Sequence, residues 1–187
     1  GLVSQTPLTG YTDGDMSSGD LNGDGNMDIV FGDFIFYGNG QGGFDNTKSL
    51  LGGERSYRNI VADLNGDNRL DVLLVNSAAP YEVKSFINIR DNEFKMFSSG
   101  NMEYPTNAAA PIADFNNDGL PDMALSAPNG RIYLIPSRGD GLFGEAVMLD
   151  IGDSQANPQS IQVSDLNGDV VTDIVASLVT SITNNDM

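Results

Sequence analysis

The 187-residue sequence contains no histidine, no cysteine and no tryptophan, and its nine basic residues face 26 acidic ones, which gives a formal net charge of −17. Without histidine or cysteine there is no Ser-His-Asp triad, thiol nucleophile, imidazole base or zinc site of the usual nitrogen or sulfur kind. Without cysteine there is no disulfide framework. The negative balance disfavours nucleic acid and anionic lipid as partners, because their phosphates attract lysine and arginine.

The sequence also lacks a long apolar run. No stretch approaches the roughly 20 residues of a membrane span, and no signal peptide is recognisable. Because the sequence begins with Gly1 rather than methionine, we expect a processed product or an excerpt of a longer chain. A hydrophobic content of 40% argues against a disordered acidic tail.

The acidity is instead organised as a repeat. Twelve aspartates fall in four copies of the nine-residue pattern Asp-x-Asn-x-Asp-x-x-x-Asp, which begin at Asp20, Asp63, Asp114 and Asp165. The copies start 43, 51 and 51 residues apart. A period of about 40 to 50 residues is typical of repeat architectures.

Short apolar runs rich in β-formers follow each copy and precede copies two to four, so we expect each Asp-rich loop to join two strands. A third run follows, and a Gly/Asn/Asp turn leads to a fourth run that begins at Phe44, Phe94 or Phe143. Four short antiparallel strands per repeat predict an all-β fold of β-propeller blades with almost no helix. The expected organisation is one propeller segment, 1–187, with approximate units 1–42, 43–92, 93–141 and 142–187.

The repeat is incomplete at its end. The segment 1–8 matches 141–149, the fourth strand of a unit, and the sequence stops after the second strand of the fourth unit. This predicts 15 strands and an open last blade. Because unpaired edge strands are association sites, we expect a fragment of a longer propeller or a protomer of an assembly.

Oxygen-bearing side chains at alternate positions of a tight loop suit calcium, which takes six to eight oxygen ligands. We predict ligands from the side chains at positions 1, 3, 5 and 9 and from the backbone carbonyl at position 7. Clustered carboxylates repel one another unless a cation compensates them. The predicted residues for up to four Ca²⁺ are Asp20, Asn22, Asp24, Asn26, Asp28; Asp63, Asn65, Asp67, Arg69, Asp71; Asp114, Asn116, Asp118, Leu120, Asp122; and Asp165, Asn167, Asp169, Val171, Asp173.

Two other interpretations of the loops fit the sequence less well. The carboxylates could simply cap the backbone amides of β-turns, but the same ligand positions in four copies favour metal binding. An EF-hand needs glutamate at position 12, and position 12 here is Phe31, Leu74, Leu125 or Ala176.

Two positions within the loops carry further expectations. Position 6 is Gly25, Asn68, Gly119 or Val170, and a sharp turn there requires positive φ, which a β-branched valine resists. The loop that starts at Asp165 is therefore expected to be the weakest site. Position 2 is always large and apolar, as expected for a loop that is pinned to the core; its residues are Leu21, Leu64, Phe115 and Leu166.

The pattern Asp-x-Asn-x-Asp-Gly-x-x-Asp followed by an apolar strand resembles the FG-GAP repeat, also called the VCBS repeat, of integrin α-subunit heads and many bacterial surface and secreted proteins. The resemblance covers all four units. It implies a β-propeller of usually seven or eight blades with structural calcium at the blade loops. It does not identify a function, because the family includes adhesins, lectins and polysaccharide-lyase propellers.

The remaining candidate motifs have simpler explanations. Arg138-Gly139-Asp140 reads as an integrin-binding tripeptide, but it falls at a hairpin turn where Gly and Asp belong for turn reasons. The six Tyr and nine Phe could stack on sugar rings, yet most alternate along strands as core residues do. None of the five Glu pairs with another acid as a glycosidase requires.

The sequence therefore predicts a calcium-binding, non-catalytic propeller scaffold that is extracellular or exposed at the cell surface, where millimolar calcium suits such modules. The first hypothesis is protein interaction, cell adhesion or self-assembly through open blade edges, with no nucleic acid and no membrane insertion. The alternative is a carbohydrate-binding propeller module attached to a secreted enzyme or adhesin. An intrinsic enzyme, such as a lyase that uses Tyr or Lys with calcium, comes last.

Overall fold

The structure, a computed structural model, describes residues 15–52, 57–76, 81–102, 111–127, 130–152 and 156–180. These residues form fourteen β-strands and no helix, so none of them belongs to a helix that could cross a membrane. The strands are β1 (Met16–Gly19), β2 (Asp28–Phe31), β3 (Phe34–Gly38), β4 (Phe44–Ser49), β5 (Tyr57–Ala62), β6 (Asp71–Asn76), β7 (Tyr81–Arg90), β8 (Glu93–Met102), β9 (Ile112–Ala113), β10 (Asp122–Ala127), β11 (Arg131–Ile135), β12 (Val147–Asp150), β13 (Ala156–Ser164) and β14 (Asp173–Thr180).

The strands pair into four antiparallel sheets in chain order. Three sheets have four strands each, β1-β2-β3-β4, β5-β6-β7-β8 and β9-β10-β11-β12, and the fourth consists of β13 and β14. The all-β fold with four-stranded, blade-like sheets is thus confirmed, and no sheet among the described residues closes on itself. The strand predicted at 1–8 lies outside the described residues.

One predicted strand begins later than expected. The fourth strand of the third sheet starts at Val147 instead of Phe143, which forms only an isolated bridge with Ser137. The N–H of Gly144 donates to the carbonyl of Pro136 at 2.7 Å. Because proline has no N–H to donate in return, the ladder is interrupted here and resumes at β12.

The chain divides into two compact units. Unit 1 comprises Gly1–Met102 with Gly139–Leu142, and unit 2 comprises Glu103–Arg138 with Phe143–Met187. The first two sheets lie in unit 1, and the third and fourth sheets lie in unit 2. The prediction of a single propeller segment with four repeat units stays a prediction.

Unit 1 has a core between its two sheets, formed by Leu21, Val30, Ile35, Tyr37, Val72, Leu74 and Phe86. The sheets approach closely where β1 meets β5. A Cβ atom at Gly19 would lie 2.5 Å from Leu70 Cδ1 and 2.9 Å from Val61 Cγ1, so a larger residue at the entrance to the first Asp-rich loop would require these side chains to shift. Ser17 Oγ donates to Asn59 Oδ1 at 2.5 Å across the same contact.

Unit 2 has a smaller core. Ala124, Ile132 and Ile161 are buried, with Phe115, Val163 and Ile174 packed against them. By contrast, Val175, Leu178 and Val179 of β14 are exposed. Burial therefore decreases from the four-stranded sheet of this unit to its two-stranded sheet.

Candidate metal-binding loops

Each Asp-rich loop connects the first and second strands of its sheet, as predicted. Loop 1 (20–28) joins β1 to β2, loop 2 (63–71) joins β5 to β6, loop 3 (114–122) joins β9 to β10, and loop 4 (165–173) joins β13 to β14. Position 9 is in every case the first residue of the following strand. The four candidate sites therefore occupy equivalent places in the four sheets.

The position-1 carboxylate lies at the centre of the loop and accepts hydrogen bonds from the loop backbone. Asp20 Oδ1 accepts the N–H groups of Gly23 and Asp24 at 2.7 and 3.1 Å, and its Oδ2 accepts that of Gly25 at 2.8 Å. Equivalent bonds occur at Asp63, Asp114 and Asp165. In loop 4, the N–H groups of Val170 and Gly168 lower the pKa of Asp165 because they stabilise its ionised form.

Positions 3 and 5 complete the rim of each loop. Asn22 Oδ1 accepts the N–H of Asp24 at 3.0 Å, and Asn22 Nδ2 donates to Asp24 Oδ2 at 2.9 Å. Asp24 Oδ1 accepts the N–H of Asn26 at 2.8 Å, and this bond, followed by the one from Asn22, lowers the pKa of Asp24. The other three loops repeat the amide-to-carboxylate bond at 2.8–3.0 Å.

The position-9 carboxylate lies in a different environment. Asp28, Asp71 and Asp122 are buried. In each, Oδ2 accepts the N–H of position 2 at 2.8–3.0 Å. The Oδ1 atoms accept N–H groups from the third strand of the sheet or from the second residue after it, namely Gly38, Asn88 and Ser137. This carboxylate therefore fastens the loop to its sheet.

Burial changes the acidity of one of these carboxyl groups. Burial raises the pKa of Asp71 to about 6, although the N–H groups of Asn88 and Leu64 act in the opposite direction. The nearby negative charges of Asp67 and Asp63 add to the rise. Negative charge on Asp71 is thus harder to accommodate than on a solvated carboxylate.

The structure separates the predicted ligands into two groups. Positions 1, 3 and 5 form the accessible rim, whereas position 9 is held inside the first three sheets by two backbone N–H groups. Within the described residues, no three or more acidic side chains are placed together so as to hold a metal ion. That the five positions form one calcium ligand set stays a prediction.

The backbone conformations confirm one expectation and add another. Position 6 has positive φ in all four loops, with values of 85° for Gly25, 65° for Asn68, 86° for Gly119 and 71° for Val170. Position 4 also has positive φ, and it was not predicted, although glycine in three of the four copies was the available signal. Its residues are Gly23, Gly66, Asn117 and Gly168.

The expectation for position 2 holds only in part. Leu21 and Leu64 are buried, and Phe115 packs against the core of unit 2. For Leu166 the prediction is wrong, because this side chain is 63% exposed. The two-stranded sheet that carries it offers less apolar surface to cover it than a four-stranded sheet does.

The Arg138-Gly139-Asp140 tripeptide lies in a turn, as expected. Gly139 and Gly141 have φ of 73° and 85°, and Asp140 Oδ1 accepts the N–H of Leu142 at 3.1 Å. These features are those of turn residues. They give no support to an adhesive role for the tripeptide.

The sheets and their equivalent loops define a repeat protein of the propeller-blade type. The chain belongs to the FG-GAP-like repeat family, which it matches at residues 20–74 and 114–176. Repeats of this family indicate a β-propeller-like scaffold of the extracellular or protein-interaction kind.

A curated relative is the T-cell immunomodulatory protein homolog of Plasmodium yoelii yoelii. It is 28% identical over 151 residues, which cover 64% of this chain and 21% of the relative. The chain therefore spans about a fifth of the length of the relative that it matches.

Proposed function

We propose that this chain is a calcium-stabilised, non-catalytic scaffold that acts outside the cell and binds protein partners, or further copies of itself, through the open edges of its sheets. The observation that supports it most strongly is the fourfold recurrence of one hydrogen-bonded loop with oxygen donors at positions 1, 3 and 5. The same three side chains accept backbone N–H groups of the loop, and a hard cation would use the oxygen lone pairs that these bonds leave free.

The donor chemistry of the loops fits a hard cation. A carboxylate offers about four lone-pair sites, so Asp24, which accepts one hydrogen bond on each oxygen, retains capacity for a metal. Its lowered pKa means that it remains an anionic donor at neutral pH. Calcium accepts carboxylate, amide and backbone oxygens in irregular geometry, and when bound it would supply the positive charge that the loop lacks.

The formal charge supports the same interpretation. At −17, the chain repels itself in its compact state. Four Ca²⁺ ions would add eight positive charges and reduce the formal charge to −9. Weak extracellular calcium modules work at about 10⁻⁴–10⁻³ M, which matches a location outside the cell.

An exposed strand edge supports protein binding. Among the described strands, β14 pairs only with β13, and Val175, Leu178 and Val179 are 47, 44 and 54% exposed. An edge of this kind can accept a strand from another chain, with main-chain hydrogen bonds for affinity and side-chain pockets for specificity. The name of the relative, which refers to immunomodulation, is consistent with a protein-binding role.

Calcium dependence is tested by urea unfolding in calcium and in chelator. Calcium at 100 times its dissociation constant should raise the free energy of unfolding by about 2.7 kcal/mol per site. Asp24→Ala should remove the contribution of loop 1. Asp45→Ala is the matched control, because it removes the same charge from β4, outside the loops. An identical unfolding curve with and without calcium would overturn the proposal.

The partner interaction is tested by native mass measurement with calcium over a range of protein concentrations. Self-assembly through the β14 edge predicts dimers or larger species that disappear in Val175→Lys, because a charge on an edge strand opposes strand addition. A strictly monomeric chain at high concentration would contradict self-assembly and leave a different protein as the partner to be sought.

A further inference from the structure

We infer that Arg69 is a built-in counter-cation of loop 2, so that loop 2 keeps its shape without calcium and binds calcium more weakly than loop 1. This inference rests on the proposed function, since it concerns the regulation of the same loops. It assigns a role to the position-7 side chain, for which the sequence pattern uses only the backbone carbonyl.

The guanidinium of Arg69 is held at two points. Its Nη2 atom forms an ion pair with Oδ2 of Asp67, the position-5 carboxylate. Its Nε atom donates to the carbonyl oxygen of Asn88, at 2.8 Å. A single exposed ion pair contributes little to stability because both side chains lose conformational freedom on forming it. The second contact, to Asn88, fixes the orientation of the guanidinium.

The anchor of Arg69 is itself rigid. Asn88 is buried, and its Nδ2 donates to the carbonyl oxygens of Leu21 and Leu70 at 2.6 and 3.2 Å. Its N–H donates to Oδ1 of Asp71, at 2.8 Å. The residue that fastens the position-9 carboxylate of loop 2 therefore also positions the guanidinium over the position-5 carboxylate.

The other loops have no equivalent cation. Position 7 is Asn26 in loop 1, Leu120 in loop 3 and Val171 in loop 4. Within the described parts of those loops, no ion pair reaches the position-5 carboxylate. Loop 1 has the same ligand pattern and lies in the same unit, where its Asp20 and Gly23 line one cavity with Arg69. It is therefore the loop that lies near the guanidinium without forming an ion pair with it.

The two cations compete for one carboxylate. A calcium ion that binds Asp67 must either displace the guanidinium or bind beside a like charge, and both cost free energy. Removal of the guanidinium should strengthen calcium binding at loop 2 by on the order of tenfold. In chelator, the same removal should loosen the loop, because the carboxylate of Asp67 loses its only compensating charge among the described contacts.

The test uses the backbone N–H resonances of Gly66 and Gly23, which report on loops 2 and 1 respectively, in a titration of the full chain with calcium. Arg69→Leu introduces the residue that loop 3 carries at this position. Arg58→Leu is the matched control, because Arg58 pairs with Asp15 at 3.3 Å outside the loops and its loss changes the net charge equally. Arg69→Lys retains the positive charge but replaces the planar guanidinium by an ammonium group.

In the original chain, the Gly66 resonance should reach its midpoint at a higher calcium concentration than the Gly23 resonance. Arg69→Leu should lower the Gly66 midpoint by roughly tenfold and that of Gly23 much less, Arg58→Leu should shift both by the same small amount through the change in net charge, and Arg69→Lys should lie between. Equal midpoints in the original chain, or an unchanged Gly66 midpoint in Arg69→Leu, would overturn the inference while calcium binding itself stands.

A second measurement separates this inference from the proposed function. Hydrogen exchange in chelator should be faster at Gly66 in Arg69→Leu than in Arg58→Leu, with a smaller difference at Gly23. That outcome supports the counter-cation role even if no loop binds calcium, in which case the proposed function fails by itself. Equal exchange rates at Gly66 in the two variants would show that Arg69 is a surface ion pair without effect on the loop.

Discussion

Loops 2 and 4 share one residue pattern but differ in how they are anchored. In both, the position-1 carboxylate accepts the N–H of position 6, at 2.7 Å in loop 2 and 2.9 Å in loop 4. Yet Leu64 is 1% exposed, whereas the equivalent Leu166 is 63% exposed. The internal shape of the loop is thus encoded locally, and its burial is not.

The third strand of the sheet accounts for this difference. Asp71 accepts one N–H from Leu64 within its loop and another from Asn88 of β7. Among the described residues, the sheet of β13 and β14 has no third strand, and Asp173 accepts only the N–H of Leu166, at 2.9 Å. A blade loop is therefore held firmly only when the strand beyond it is present.

The largest effect that the comparison predicts is at position 9. Asp71→Ala leaves two buried N–H groups without an acceptor and should lower the free energy of unfolding by about 3 kcal/mol. Asp173→Ala removes one bond from a half-buried site and should cost about 1 kcal/mol. Urea unfolding in chelator measures both. Equal losses at the two positions would show that the third strand adds nothing to the anchoring.

A second prediction changes only the charge on the same carboxyl group. The pKa of Asp71 in the folded chain is about 6, above its ordinary value of 3.8. Its protonation therefore stabilises the fold below about pH 4, and this contribution is lost as the pH rises through about 6. Asp165 behaves in the opposite sense, because its pKa is lowered and its contribution is lost as the pH falls.

Carboxyl-carbon NMR in chelator measures these two titrations directly. Asp71 of loop 2 should titrate near pH 6 and Asp165 of loop 4 below 3.8. An Asp71 midpoint at or below 3.8 would mean that its two N–H partners outweigh its burial. The position-9 carboxyl of loop 2 would then titrate in the same sense as the position-1 carboxyl of loop 4.

Much of the fold and part of the site could be predicted from the sequence because they depend on short-range features. The strands, the four loops and the positive φ at position 6 all follow from residues a few places apart. The second hydrogen-bond partner of the position-9 carboxylate does not follow from nearby residues. It lies 10, 17 and 15 residues further along, at Gly38, Asn88 and Ser137, so no fixed spacing reveals it.

Two further features depend on neighbours that a sequence pattern does not contain. The exposure of Leu166 follows from the two-stranded sheet that carries it, although the residue itself is as apolar as Leu64. The ion pair between Arg69 and Asp67 depends on the carbonyl of Asn88, 19 residues away, which fixes the guanidinium. Position 7 varies among the loops and was predicted only to offer a backbone carbonyl.

The smallest predicted effect is a reciprocal exchange at position 6. Val170 has φ of 71° and Asn68 has φ of 65°, a left-handed conformation that costs most residues about 1–2 kcal/mol and that asparagine tolerates better. Val170→Asn should therefore raise the free energy of unfolding by roughly 1 kcal/mol and Asn68→Val should lower it by a similar amount. Both keep the backbone N–H that donates to position 1.

The neighbouring valine provides the control for this exchange. Val171 is 50% exposed and Val170 is 89% exposed, so neither contributes much packing, but only Val170 has positive φ. Val171→Asn should consequently leave the free energy of unfolding in chelator unchanged, because it relieves no backbone strain. If both substitutions stabilised the chain equally, the gain would come from removing exposed apolar surface. The weakness predicted for loop 4 would then be due to its weaker anchoring in the two-stranded sheet of the described residues alone.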